Sequence, residues 1–152
     1  MFRKILVPID GSETSNLGLR EAIELAKNQN ATLLLLHVVD ELTIAQICAN
    51  AYVPMNNVEE FLDGLMEGGR KLLEEAKARV REQGLTSESA LTTTMGRRVA
   101  DVILDKAREW QADLVVLGTH GRRGWNRRGL RSRMRTNAIN NNKFLLPTRN
   151  AR

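Results

Sequence analysis

The 152-residue sequence predicts a doubly wound α/β fold, a parallel sheet between two helical layers, and three observations carry that prediction. Ala31–Val39 (ATLLLLHVV) and Leu114–Leu117 (LVVL) are continuous apolar runs of strand length, the pattern of strands covered on both faces. Strand-like runs alternate with segments of helical periodicity in the order β-α-β-α-β-α-β, with connections long enough for right-handed crossovers. The Leu114 run passes straight into a loop with glycines at Gly118 and Gly121, and ligands of such sheets bind beyond the carboxyl ends of the strands.

Arg3–Ile9 (RKILVPI) reads as the first strand, rich in branched apolar residues and closed by the polar turn Asp10-Gly11-Ser12-Glu13. A helix follows, because Leu19, Ala22, Ile23 and Ala26 recur at helical spacing, Ser12 or Thr14 can cap it, and Glu13 suits the positive end of its dipole. Its end falls near Asn28 to Asn30. Ala31–Val39 is then a central parallel strand. From Asp40 to Asn57 the pattern is irregular, and Pro54 with nearby asparagines predicts a loop holding a short helical piece around Leu42 to Ala49. Val58, Phe61, Leu62, Leu65, Gly69, Leu72, Leu73, Ala76 and Val80 trace one face of a long helix ending near Gly84, weakened in its first half by Gly64, Gly68 and Gly69. Ser87–Met95 reads as a third or edge strand. Gly96 opens a helix carrying Val99, Val102, Ile103, Ala107 and Trp110, and Asp113–Gly118 is the last clear strand. Beyond Gly124 local and global signals conflict, so a fifth strand rests on Phe144-Leu145-Leu146 alone and is doubtful.

Composition bounds the rest. The length fits a single domain, one able to bury roughly two thirds of its unfolded surface without cross-links. One cysteine, Cys48, excludes a disulfide framework, and the five-residue apolar run before Asp10 is too short for a signal peptide or a membrane span. A soluble cytoplasmic protein is the expectation. The net charge of +5 is unevenly distributed: Gly118–Arg152 holds nine arginines and Lys143 with no acidic residue, whereas the preceding 117 residues carry a net −5. That basic tail suits nucleic acid or another anionic partner, although only Trp125 and Phe144 interrupt it with aromatic rings.

Three separated motifs occur in order: ILVPIDGSE at Ile5–Glu13, the His37-Val38 pair at the end of the second strand, and DLVVLGTHG at Asp113–Gly121. Together, in a chain of this length, they resemble the universal stress protein family over about residues 2–124. The resemblance implies a Rossmann-like three-layer fold with sheet order 3-2-1-4-5, a homodimer joined through edge strands, and in one branch bound ATP with magnesium as its companion ion. It assigns adenine to the edge between Asp10 and Val38, ribose to the neighbourhood of Pro8, Asp10 and Gly118, flanked by Ile9 and Leu117, and phosphates to the amides of His120 and Gly121 with Ser132. The ATP-binding branch carries G-x2-G-x9-G-[ST]. Here Arg131 stands at the third glycine, so the motif is incomplete, although Arg131 could itself pair with a phosphate. The family's last helix and strand are replaced by RMRTNAINNNKFLLPTR, an arginine and asparagine enrichment of the kind a shifted reading frame would produce.

Other readings compete at individual residues. Asp10 also suits a turn and cap role. Ser132 equally suits a helix N-cap. His37 reads as a strand-end histidine hydrogen-bonded in the sheet, because no third ligand stands at metal-binding spacing. Cys48 reads as an inert loop thiol, and Trp110 as helix packing. No paired general acid and base is visible, and the Ser-Gly-Gly-x-Asp-Ser loop of ATP pyrophosphatases is absent, so the expectation is a regulator rather than an enzyme, with slow ATP hydrolysis left open.

Overall fold

A computed structural model of the chain describes residues 1–51, 57–118, 137–139 and 143–147. In chain order the elements are β1 (Lys4–Pro8), α1 (Glu13–Gln29), β2 (Thr32–Val39), α2 (Glu41–Asn50), α3 (Val58–Glu82), β3 (Ser87–Thr93), α4 (Val99–Glu109), β4 (Leu114–Gly118), β5 (Asn137–Ile139) and β6 (Lys143–Pro147). They build one sheet of order β3-β2-β1-β4-β6-β5. The first four of these positions are parallel: β1 pairs with β2 from Lys4↔Thr32 to Pro8↔Leu36, β2 with β3 from Leu33↔Ser87 to Val39↔Thr93, and β1 with β4 at Ile5↔Leu114 and Leu6↔Val115.

The slot beyond β4 departs from an all-parallel sheet. It is taken by β6, which contains Phe144-Leu145-Leu146 and runs antiparallel to β4, with β5 antiparallel beyond it. Only three residues separate β5 from β6, enough for a hairpin and far too few for the crossover that a parallel pair needs.

Alternation along the central strands divides their side chains between two cores. Ile5, Val7, Leu33, Leu35, Leu114 and Val116 pack with Leu19, Ala22, Ile23 and Ala26 of α1 and with Leu73, Ala76 and Val80 of α3. Leu6, Leu34, Leu36, Val115 and Leu117 face the other way, against Ile103 and Ala107 of α4. Apolar residues at both parities explain why these strands read as unbroken runs.

Helix α1 begins and ends where its sequence predicts. Ser12 caps it, its Oγ accepting from the Ser15 N–H at 3.1 Å, and Asn30 closes it in the left-handed conformation (φ 52°) with its N–H donating to the Ala26 carbonyl. The segment after β2 is more ordered than expected. Glu41–Asn50 is a ten-residue helix rather than a loop with a short helical piece. Ile44 and Cys48, one turn apart, bury against Val39 and against Leu62, Leu65 and Met66 of α3, and Thr94 Oγ1 accepts the Glu41 N–H at 3.3 Å. Tertiary burial and this remote cap outweigh a weakly amphipathic local pattern. Cys48 is therefore a buried helix residue, not a loop thiol.

At the amino ends of the strands, Asp113 Oδ2 accepts the N–H groups of Arg3 (2.7 Å) and Lys4 (2.9 Å), and its own N–H donates to the Lys4 carbonyl at 2.8 Å. Lys4 also lies 5.0 Å from the centroid of the Trp110 ring, whose Nε1–H donates to Glu88. Asp113 and Trp110 are thus structural, sewing β4 and the end of α4 to the first and third strands.

Candidate functional site

Because β1 is flanked by β2 and β4, the carboxyl ends of all three strands open at one edge of the sheet. Pro8, Ile9 and Asp10, Leu36 and Val38, and Leu117 and Gly118 line a cleft there, completed by Thr14 and Ser15 of α1 and by Val99 and Ile103 of α4. Its interior is narrow, about 50 Å3, and widens to about 400 Å3 only when the solvent-open mouth is counted. Its lining has two characters. Leu36, Val38, Val99, Ile103 and Leu117 form an apolar slot between β2, β4 and α4, while Asp10, Thr14 and Ser15 gather polar groups at the start of α1.

The loop after β1 is held in place from several directions. The Ile9 N–H donates to the Leu36 carbonyl at 2.8 Å, and His37 Nδ1 lies 2.6 Å from the Ile9 carbonyl oxygen, so this nitrogen carries the proton and donates. The imidazole is the clamp that its sequence context predicts. Asp10 Oδ1 accepts the Ser12 N–H at 2.9 Å, and the Asp10 N–H donates to Ser15 Oγ at 3.2 Å. Asp10 therefore shapes the turn and lines the cleft at once; the two readings of this residue are compatible. Gly11 follows at φ +77°, a conformation that a side chain would strain.

Gly118 has a different reason for being glycine than a phosphate's approach. A Cβ there would lie 2.6 Å from the Thr14 carbonyl carbon and 3.0 Å from the Ser15 nitrogen. Across the same seam, a Cβ on Gly18 would lie 3.3 Å from the Gly118 nitrogen. The first turn of α1 rests directly on the end of β4, and this contact brings Thr14 and Ser15 to the cleft.

Of the residues singled out in the sequence, Pro8, Ile9, Asp10, Val38, Leu117 and Gly118 come together in this cleft. His120, Gly121, Arg131 and Ser132 lie outside the described residues. Thr14, a capping candidate in the sequence, Leu36, Val99 and Ile103, which belong to its apolar patterns, and Ser15, to which the sequence assigns no role, also line it. Val99 and Ile103, four residues apart at the start of α4, carried a usable signal: a helix opening at the carboxyl edge turns its first apolar pair towards any ligand there. No group of three or more His, Cys, Asp or Glu side chains suited to a metal occurs among the described residues. No helix among them is long and apolar enough to cross a membrane.

The family model described as "Universal stress protein family" matches residues 1–133. The chain belongs to the universal stress protein family. The match continues past Gly124 and includes Arg131 and Ser132, so family likeness extends further into the basic segment than the motifs alone indicate. Among relatives of this universal stress protein, universal stress protein YxiE of Bacillus subtilis is 37% identical over 123 residues, covering 80% of this chain and 81% of its own. A universal stress protein family structure from Burkholderia pseudomallei is 31% identical, with TM-score 0.62 and coverage of 74% of this chain and 77% of that one. A universal stress protein solved in complex with cAMP, 22% identical, shares the fold with TM-score 0.53 over 78% of this chain and 73% of its own.

Proposed function

We propose that this universal stress protein is a small cytoplasmic regulator, not a catalyst, that binds an adenine nucleotide in the cleft at the carboxyl ends of β1, β2 and β4. The observation that carries the reading is the convergence of Pro8, Ile9, Asp10, Val38, Leu117 and Gly118 on one opening that is apolar on one side and polar on the other. A flat base fits between Val38 and the α4 residues Val99 and Ile103, and a ribose reaches Asp10 beside Gly118. The phosphates then point towards the segment after Gly118, where the amides of His120 and Gly121 with Ser132 receive them and Arg131 pairs with them in place of the third motif glycine. Magnesium accompanies ATP when ATP is the ligand. A relative crystallised with cAMP supports an adenine nucleotide as the ligand class. A homodimer through the last strands completes the proposal.

Mass spectrometry of small molecules released from freshly purified protein tests the reading, with thermal shift on adding ATP, AMP or cAMP. Co-purified adenine nucleotide, or stabilisation at micromolar concentration, is expected; neither, from correctly folded protein, refutes it. Val38→Arg puts a charged side chain into the apolar slot and is expected to weaken nucleotide binding roughly tenfold or more, measured on protein shown by circular dichroism to be folded, since Val38 also packs against the core on that face of the sheet. Single-turnover hydrolysis measures any residual turnover of bound ATP.

The charge distribution favours a second reading, in which the basic tail binds nucleic acid. Seven arginines between Arg122 and Arg135 could neutralise several phosphates. Binding to random DNA that falls steeply with salt would support it, and weak binding with little salt dependence would remove it.

A further inference from the structure

Ser15 is only 6% exposed, yet it lines the cleft. Its Oγ accepts the Asp10 N–H at 3.2 Å, and its own backbone N–H is spent on Ser12 Oγ at 3.1 Å. A hydroxyl has one proton to donate as well as lone pairs to accept with, and among the described residues the Ser15 proton has no acceptor. A buried donor without an acceptor is costly and uncommon in folded proteins. Here the space beside it is the cleft.

We infer that Ser15 reads the ligand, donating its hydroxyl proton to a sugar oxygen of a bound nucleoside while Asp10 accepts from a sugar hydroxyl. This deepens the nucleotide reading above and rests on it. The base is not the acceptor, because Leu36, Val38, Val99, Ile103 and Leu117 on the far side form a slot whose side chains suit a ring face rather than a hydrogen-bonding edge. A phosphate is disfavoured because Asp10 borders the same space and Glu13 opens the same helical turn, both of them acidic. What remains is the neutral, hydroxylated middle of a nucleotide. Placed there, it gives the Ser15 donor and the Asp10 acceptor opposite and complementary tasks on one sugar. The Gly18–Gly118 seam, by pressing α1 onto β4, sets how close Ser15 comes to that sugar.

The test is calorimetric titration of the parent, Ser15→Ala and Ser15→Cys with four ligands: adenosine, 2′-deoxyadenosine, 3′-deoxyadenosine and the carbocyclic analogue with methylene in place of the ring oxygen. Losing one neutral hydrogen bond weakens binding by about three- to tenfold, so Ser15→Ala is expected to lose that much on adenosine. It should lose almost nothing further on the one analogue that lacks the acceptor. Ser15→Cys keeps the shape with a weaker donor and should show the same pattern; it decides the matter if the alanine variant is not folded. An equal loss on all four ligands would mean that Ser15 acts only by holding the Asp10 amide, and that result overturns the inference, as does no loss on any ligand. Failure of the folded parent to bind adenosine and ATP alike would overturn the nucleotide reading itself, and this inference with it.

Discussion

Single atoms decide much of this site. Gly118→Ala places a methyl group against the Thr14 backbone, where no side chain can swing aside. The expected cost is about 1–3 kcal/mol, as for other overpacked positions, read as a lower urea midpoint with an unchanged slope. At the surface of α4, Arg97 and Arg108 both engage Asp105. The hydrogen bond from Arg97 holds the Asp105 carboxyl below its ordinary range. Because its folded pKa is depressed, the small stability it contributes is present above the unfolded value and is lost as pH falls through the folded one. Arg97→Ala should move the Asp105 carboxyl upwards towards that ordinary value, visible in the carbon shift of its side chain on acid titration. At this scale the sequence was partly legible. Asp10 and Val38 were legible through the family resemblance, which places them at the carboxyl edge, but Ser15 was not, since a serine in a first helical turn looks the same whether its proton meets water, backbone or ligand.

Helices were legible in proportion to their amphipathic pattern. Helix α1 shows its caps and its apolar stripe in the sequence, whereas α2 is stabilised by Thr94 and α3, partners that a local pattern cannot display. Helix α3 shows how the same residue type acquires opposite roles. Its glycines look uniformly weakening in sequence, yet only Gly69 is pressed against a neighbour: a Cβ there would lie 2.7 Å from His37 Cδ2 and 2.9 Å from Leu91 Cδ1. The ring of His37 cannot retreat without leaving the Ile9 carbonyl. Gly69→Ala is therefore expected to destabilise by roughly 1 kcal/mol or more, overpacking outweighing the helix-propensity gain, and to weaken ligand binding through the displaced loop. A Cβ on Gly64 meets nothing within 4 Å. Gly64→Ala should instead stabilise by about 0.5–1 kcal/mol, since only the propensity term remains. Paired thermal melts of the two variants would show opposite signs.

For the whole molecule, the parallel arrangement of β3, β2, β1 and β4 was readable because strands covered on both faces leave unbroken apolar runs. The antiparallel β6 was not, because Phe144-Leu145-Leu146 is too short a run to carry a direction, and the surrounding arginines and asparagines carry no period. The charge step between body and tail is likewise a property of the entire chain that no element reveals alone. The pinning of β1 to β4 through Asp113 carries a further meaning, in time rather than in space. Asp113 meets Lys4 across 109 positions of sequence, whereas Lys4 meets its other strand neighbour at Thr32. Contacts of such long range close slowly, and a strand lacking one neighbour exposes an edge on which other chains can aggregate. During synthesis β1 can acquire β2 early, but its second edge stays open until Leu114–Gly118 has emerged. The first strand to be made is thus the one that waits longest for its second neighbour.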